Sequence, residues 1–229
     1  MSENDSVSFT AGAEQRKIIL GTDPADHIKE FTDKHGLEYK QLPLTLSYVH
    51  DTRNRSVFPS AGQRHRLSVQ GALPGSDLQY TKFSYDGAYY KAINDDFTFS
   101  LKAKVAVGNG QGDLTGLPFF EKYTAGGIRS VRGYEQNSLG PIDSNGDAKG
   151  GDALLTTTAE ILFPMPLASD VKSVKMSAFV DAGNVFDTSD NFDTAELRYS
   201  AGLGVVWLSP IGPFEVSYAK PLNSKDGDK

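Results

Sequence analysis

The segment from Gly126 to Tyr134 carries the residues of this chain that are best suited to a specific polar interaction. It reads Gly-Gly-Ile-Arg-Ser-Val-Arg-Gly-Tyr, with Arg129 and Arg132 set among glycines. Glycine lets a backbone turn tightly and approach other groups closely. The planar guanidinium of Arg132, between Val131 and Gly133, can bind an anion through two parallel hydrogen bonds. The alternative is a flexible surface loop whose charges are incidental.

Other kinds of site are poorly represented. The absence of cysteine excludes disulfides, thiolate zinc sites and cysteine nucleophiles, and the four histidines lack the spacing of a metal pair. The run from Asp143 to Asp147 resembles a calcium loop, but Leu154 occupies the position of the bidentate glutamate. No order of Ser, His and Asp indicates a catalytic triad. The sequence therefore predicts no enzyme, no cofactor and no metal site.

Composition limits the class of protein. The 229 residues are 38% hydrophobic and 23% charged, which is typical of a folded domain. The net charge of -6, without a basic stripe, argues against binding of nucleic acid. No run approaches the ~20 apolar residues of a transmembrane helix. Because Met1–Ser8 is polar and acidic rather than a signal peptide, an exported form would be a mature fragment.

Most of the chain alternates between apolar and polar residues with period two, the pattern of half-buried strands. The alternation predicts about nine strands, over residues 6–13, 42–48, 66–73, 82–89, 97–107, 155–163, 174–181, 197–207 and 214–219. Glu160 and Asp181 fall on the polar faces of their strands. One segment, Asp23–Gly36, predicts a helix with Asp23 as N-cap, Pro24 at its first position and Gly36 at its end.

Two all-β architectures fit this pattern. Tight turns such as Pro74–Ser76 alternate with longer connections around Asp23–Gly36, Gly108–Gly151 and Asp187–Thr194, as in outer-membrane barrels. Aromatic residues also gather near strand ends, as in interfacial girdles. The fold class predicted is an antiparallel transmembrane β-barrel, here about nine meander strands with one short loop helix and a long inward-folded loop. A soluble β-sandwich binding module also alternates, and it remains the competing interpretation.

The loop and several other motifs resemble the BamA family of outer-membrane protein assembly factors. The family's Val-Arg-Gly-(Phe/Tyr) tetrad is present as Val131–Tyr134. The resemblance extends from about Leu42 to Lys229 and includes Asp51–Asn54, Leu73–Asp77, Asn137–Pro141, Ala178–Asp187 and Ser200–Pro213. It implies that residues 1–229 are part of one outer-membrane β-barrel domain of the bacterial surface antigen type. The family's POTRA domains, first strands and last strand would be absent, leaving two open edges.

The resemblance also implies a site and partners. Arg132 would lie inside the barrel, paired with Glu160 and Asp181, while Gly126, Gly127 and Gly133 shape the loop and Tyr134 packs on the wall. The implied function is folding and insertion of β-barrel proteins into the Gram-negative outer membrane. The implied partners are unfolded outer-membrane proteins, membrane lipid and accessory lipoproteins, the last mainly through the POTRA domains. A secretion pore of a two-partner system is the alternative within the superfamily.

Overall fold

The computed structural model describes residues 3–166, 173–188, 192–225 and 227–229. Part of the predicted Asp187–Thr194 connection, residues 189–191, lies outside these ranges. The strands are β1 Asp5–Ala11, β2 Glu14–Lys17, β3 Glu38–Gln41, β4 Pro43–Asp51, β5 Ala61–Ala72, β6 Tyr80–Ala92, β7 Thr98–Gly110, β8 Ala153–Pro164, β9 Val174–Phe186, β10 Arg198–Ser209 and β11 Gly212–Pro221. The helix α1 is Asp26–His35, and single 3-10 turns lie at Phe119–Glu121 and Thr194–Glu196.

Nine strands form one antiparallel sheet in the order β1-β4-β5-β6-β7-β8-β9-β10-β11. These nine are the strands that the period-two pattern predicts, so the predicted meander is confirmed. The strands β2 and β3, which flank α1 in the chain, form a separate two-stranded sheet that the pattern misses, because Glu14–Lys17 contains no apolar residue. In the described part of the chain, β1 and β11 each pair on one side only. The sheet is therefore open at both edges.

The two faces of the sheet have opposite character. On β9, Val180 is 49% exposed while the next residue, Asp181, is fully buried. The same alternation leaves large apolar side chains exposed on the outer face of every strand of the sheet, such as Phe9, Leu46, Val69, Phe83, Leu101, Ile161, Leu203 and Val216. A sheet that exposes its apolar face and buries its polar one is typical of a barrel whose outer surface contacts lipid.

The connections differ in length at the two ends of the sheet. At the long-loop end they are residues 12–42, 73–79, 111–152 and 187–197, and at the short-turn end they are 52–60, 93–97, 165–173 and 210–211. The 73–79 connection, which contains the predicted turn Pro74–Ser76, lies at the long-loop end although it is shorter than 52–60 and 165–173 at the other end. No helix in the described ranges is long and apolar enough to cross a membrane.

The predicted helix is correct in place but wrong at its start. It begins at Asp26 with Ala25 as N-cap, so that Asp23 does not cap it and Pro24 precedes it. Its end is as predicted, because Gly36 has a positive φ of 87° and donates its N–H to Thr32. Phe31 packs edge-on against Phe119 of the 111–152 connection, with ring centroids 5.5 Å apart. The helix thus covers the base of that long connection.

Candidate functional site

The long connection between β7 and β8 folds back along the polar inner face of the sheet. Ala125, Val131, Tyr134 and Leu139 of this connection form one buried cluster with Ala106, Leu154 and Val185 of β7, β8 and β9. Burial of these apolar side chains holds the segment that contains the tetrad, residues 126–139, against the wall. We call this segment the tetrad loop.

Glycines shape the tetrad loop at two points of close approach. Gly126 has a φ of 107°, and a Cβ there would collide with the carbonyl oxygen of Glu135. Gly133 has a φ of 93°, and a Cβ there would lie 3.3 Å from the backbone of Ala219 on β11. Gly127 also has a positive φ, of 88°. The first turn is closed by Ser130, whose hydroxyl donates to the Gly126 carbonyl and accepts from the Gly126 amide.

Arg132 and Asp181 make the central contact of the site. The Nε and Nη2 atoms of Arg132 donate to the two carboxylate oxygens of Asp181, at 2.7 and 2.8 Å, and the Arg132 amide adds a third bond of 3.1 Å. Thr158 of β8 donates its hydroxyl to the same carboxylate, at 2.8 Å. Both charged residues are buried, at 6% and 0% exposure. A bidentate ion pair whose remaining lone pairs accept further hydrogen bonds is the arrangement that stabilises buried charge.

Glu160 lies beside this pair but is bound chiefly elsewhere. Its carboxylate is 3.6 Å from Nη1 of Arg132, beyond hydrogen-bond range, and 3.2 Å from Nζ of Lys102. Nη1 of Arg132 lies at a similar distance, 3.5 Å, from Glu215 of β11. The structure therefore brings the three residues singled out from the sequence together, with one close pair and one looser carboxylate. The period-two alternation also puts Lys102 and Glu215 on polar faces, but it does not link them to the site.

An aromatic ring completes the support of Arg132. The guanidinium carbon lies 3.2 Å from the ring centroid of Phe179, which is 3% exposed. Phe179 and Asp181 are two residues apart on β9, so both point to the inner face. Sequence reasoning missed Phe179 because an aromatic residue interrupts the polar side of that strand.

The other end of the tetrad loop is held by the segment that follows β11. Tyr134 is 5% exposed, and its hydroxyl lies 3.3 Å from the carbonyl oxygen of Tyr199 and 3.5 Å from Asn223. Burial raises the pKa of the Tyr134 phenol. Arg198 of β10 binds Asp228 at 2.5 Å, with both side chains less than a tenth exposed. The sequence gives no period-based signal for these contacts, because this segment lies beyond the last strand.

A separate group of charges closes the base of the long connection. Asp152 accepts from the amide of Leu117 at 3.1 Å, and burial raises the pKa of its carboxyl. Asp187 lies within 3.4 Å of the ammonium groups of Lys122 and Lys149. Burial opposes ionisation of Asp187, yet the two lysines lower its pKa below the ordinary value.

The contacts of the site are those of an ion-pair cluster that joins a loop to a sheet. Its acids bind arginine and lysine, and the described residues contain no group of three or more His, Asp or Glu side chains placed to hold a metal ion. In the calcium-like run, the Asp143 carboxylate accepts from the amides of Asn145 and Asp147 and so caps its own turn. What the arrangement can do is hold a loop on a wall.

Comparison with known proteins gives a consistent family match. An Omp85 superfamily domain matches residues 1–229. The chain is 33% identical over 268 residues to the outer membrane protein assembly factor BamA of Neisseria meningitidis serogroup B, covering 100% of this chain and 33% of that protein. It is 25% identical over 197 residues to a SAM50-like protein of Schizosaccharomyces pombe, covering 81% of this chain and 41% of that one. The chain thus spans less than half the length of these relatives.

A solved structure has the same architecture. The crystal structure of BamA from Haemophilus ducreyi lacking POTRA domains 1-3 matches with a TM-score of 0.90 and 28% sequence identity. The match covers 100% of this chain and 50% of that one. The sheet order and the inward loop described above therefore belong to a fold already observed in a related protein.

Proposed function

Because this chain belongs to the Omp85 superfamily, we propose that it is part of a β-barrel that folds and inserts other β-barrel proteins into the outer membrane of a Gram-negative cell. The observation that carries the proposal is the match of the whole chain to two BamA proteins. The sequence is 33% identical to that of Neisseria meningitidis, and the structure matches that of Haemophilus ducreyi with a TM-score of 0.90. The apolar outer face of the sheet suits residence in that membrane.

The barrel domain is larger than this chain. Two unpaired edges inside lipid would leave backbone groups without hydrogen bonds, so further strands must pair with β1 and β11. The relatives, of which the chain spans only a part, have length for such strands. We place residues 1–229 in a single barrel domain, with POTRA domains and accessory lipoproteins as partners outside the chain.

Within that barrel, Arg132, Glu160 and Asp181 hold the tetrad loop. The bidentate bond to Asp181 supports this role, and Glu160, Lys102 and Glu215 surround the pair with further charged contacts. Gly126, Gly127, Val131, Gly133 and Tyr134 give the loop its shape and its buried contacts. The function requires strand pairing and a stable wall, and no covalent step.

Reconstitution tests the function. The intact protein containing this chain, in proteoliposomes with its accessory lipoproteins, should increase the yield of heat-modifiable, folded outer-membrane protein from an unfolded precursor. The Arg132→Ala variant should be much less active, and Arg55→Ala, at an exposed residue of the 52–60 connection, should retain activity. If the intact protein instead leaves folding yields unchanged but passes one secreted partner across the bilayer, the function is that of a secretion pore.

A further inference from the structure

The inner face of the sheet is divided by charge. The acids around Arg132 lie on β8, β9 and β11. The wall formed by β5, β6 and β7 instead carries cations on inward positions: Arg64, Arg66, Lys82, Lys102 and Lys104. The chain as a whole has a net charge of -6, so this basic wall runs against the overall composition. A local charge of opposite sign to the whole protein attracts anions into a concave surface.

Two adjoining cavities lie on the basic wall. The first, of about 230 Å³, lies between the wall and the tetrad loop and is lined by Arg64, Lys102, Lys104 and Arg129, with Ser130 and Thr158 at its border. The second, of about 210 Å³, is lined by Arg66, Lys82 and Lys104. Lys104 and Asp86 border both cavities, so the two form one elongated trough.

Half of the trough's cations have no carboxylate partner of their own. Lys82 binds Glu121, Lys102 binds Glu160, and Arg64 lies 3.8 Å from Asp51. Arg66, Lys104 and Arg129 make no ion pair within the described part of the chain. Against them the trough offers one acid, Asp86, so it retains a net positive charge.

We propose that this trough binds an acidic segment of a polypeptide. It crosses the wall from β5 to β8, three strand spacings or roughly 14 Å, which about four extended residues span. The ring of Tyr123 borders it and offers apolar contact to a peptide that a small anion would not use. This inference deepens the proposed function, on which it rests for the origin of the segment.

Peptide binding to the intact, detergent-solubilised protein tests the proposal. A fluorescent tetraglutamate peptide should bind saturably by anisotropy, with affinity that falls as salt rises, and a tetralysine peptide should not bind. Lys104→Gln and Arg129→Gln should each weaken binding roughly two- to fivefold, the range for exposed charge pairs. Lys175→Gln, which removes an inner-face cation at the short-turn end, should leave binding unchanged.

Three results would overturn the proposal. These are no saturable binding of tetraglutamate, equal binding by the Lys104→Gln/Arg129→Gln double variant, and complete displacement by inorganic pyrophosphate at equal concentration, which would assign the trough to small anions. The measurement involves no assembly reaction. Failure to bind the peptide therefore leaves the assembly function standing, and failure of the reconstitution leaves the binding result intact.

Discussion

The guanidinium of Arg132 lies over the ring of Phe179 and donates two hydrogen bonds to the carboxylate of Asp181, two residues further along the same strand. The strand β9 thus supplies both the aromatic contact and the ion-pair partner of Arg132. A planar cation can satisfy both contacts at once, whereas the ammonium of lysine cannot. This pair adds a directional contact to the hydrophobic contacts that hold the tetrad loop on the wall.

Arg132→Ala should free the tetrad loop from the wall. The substitution leaves Asp181 buried without its partner, and breaking a buried pair costs about 3–5 kcal/mol. Limited proteolysis of the loop in the full-length protein should accelerate markedly, and Arg132→Lys should recover only part of the protection. Arg129→Ala should behave as the parent. Unchanged protease resistance of the Arg132→Ala loop would exclude the anchor role.

Phe179→Leu should weaken the same anchor without breaking the ion pair. Loss of a desolvated cation–π contact costs about 1–2 kcal/mol, less than loss of the arginine. Loop proteolysis in this variant should fall between the parent and Arg132→Ala. Tyr199→Leu, which shortens an aromatic residue on the outer face of β10, serves as the control. A Phe179→Leu loop as labile as that of Arg132→Ala would indicate collapse of the site instead.

Arg198→Ala should release the segment after β11. The charge-assisted bond from Arg198 to Asp228 is nearly buried, and such bonds contribute about 1.5–3 kcal/mol. Trypsin should then cut faster after Lys225, and Tyr134 should become more accessible to iodination. Asp147→Asn, which removes the exposed partner of Lys229, should have little effect on Tyr134. Equal iodination of Tyr134 in both variants would show that the bond between Arg198 and Asp228 does not shield Tyr134.

Helix α1 should loosen in mild acid. Burial lowers the pKa of His27, and Lys122 and Lys149 oppose its protonation, although Asp143 favours it. Because the folded state holds the proton less tightly than the unfolded state, docking is fully stable above about pH 6.5 and weakens as the pH falls below it. Cleavage at Lys29 and Lys34 by an acid-tolerant protease should report this. His27→Gln should remove the pH dependence, and an unchanged profile would contradict it.

Residues 1–229 expressed alone should not form a closed barrel. The edge strands β1 and β11 would present unpaired backbone groups to detergent or to the edge strands of other molecules. Refolding in detergent should give aggregates or mixed oligomers by size exclusion, while the intact protein gives one species. A monodisperse, heat-modifiable nine-strand species would show that the edges can close.

The sequence determined the sheet more completely than the loops. Alternation predicts all nine strands because each has one lipid-facing and one polar side. It does not reveal the pairing of β2 with β3, because β2 has no apolar residue and β3 is only four residues long. It also misses the start of α1, where Asp23 resembles a cap but Ala25 occupies that position. Position along the strands put Glu160 and Asp181 inward. Only the structure shows that Asp181 is the close partner of Arg132 and Glu160 the looser one.

The distances along the chain between the anchor's members constrain the order of folding. Arg132 lies 49 residues before Asp181 and 83 before Glu215. The tetrad loop is therefore synthesised before β9 and β11, which carry the partners of Arg132. Its docking must wait until β9, β10 and β11 have paired. Since the loop lies on the inner face, the further strands proposed above would enclose it. Docking of the loop then marks the stage at which β7 to β11 have paired.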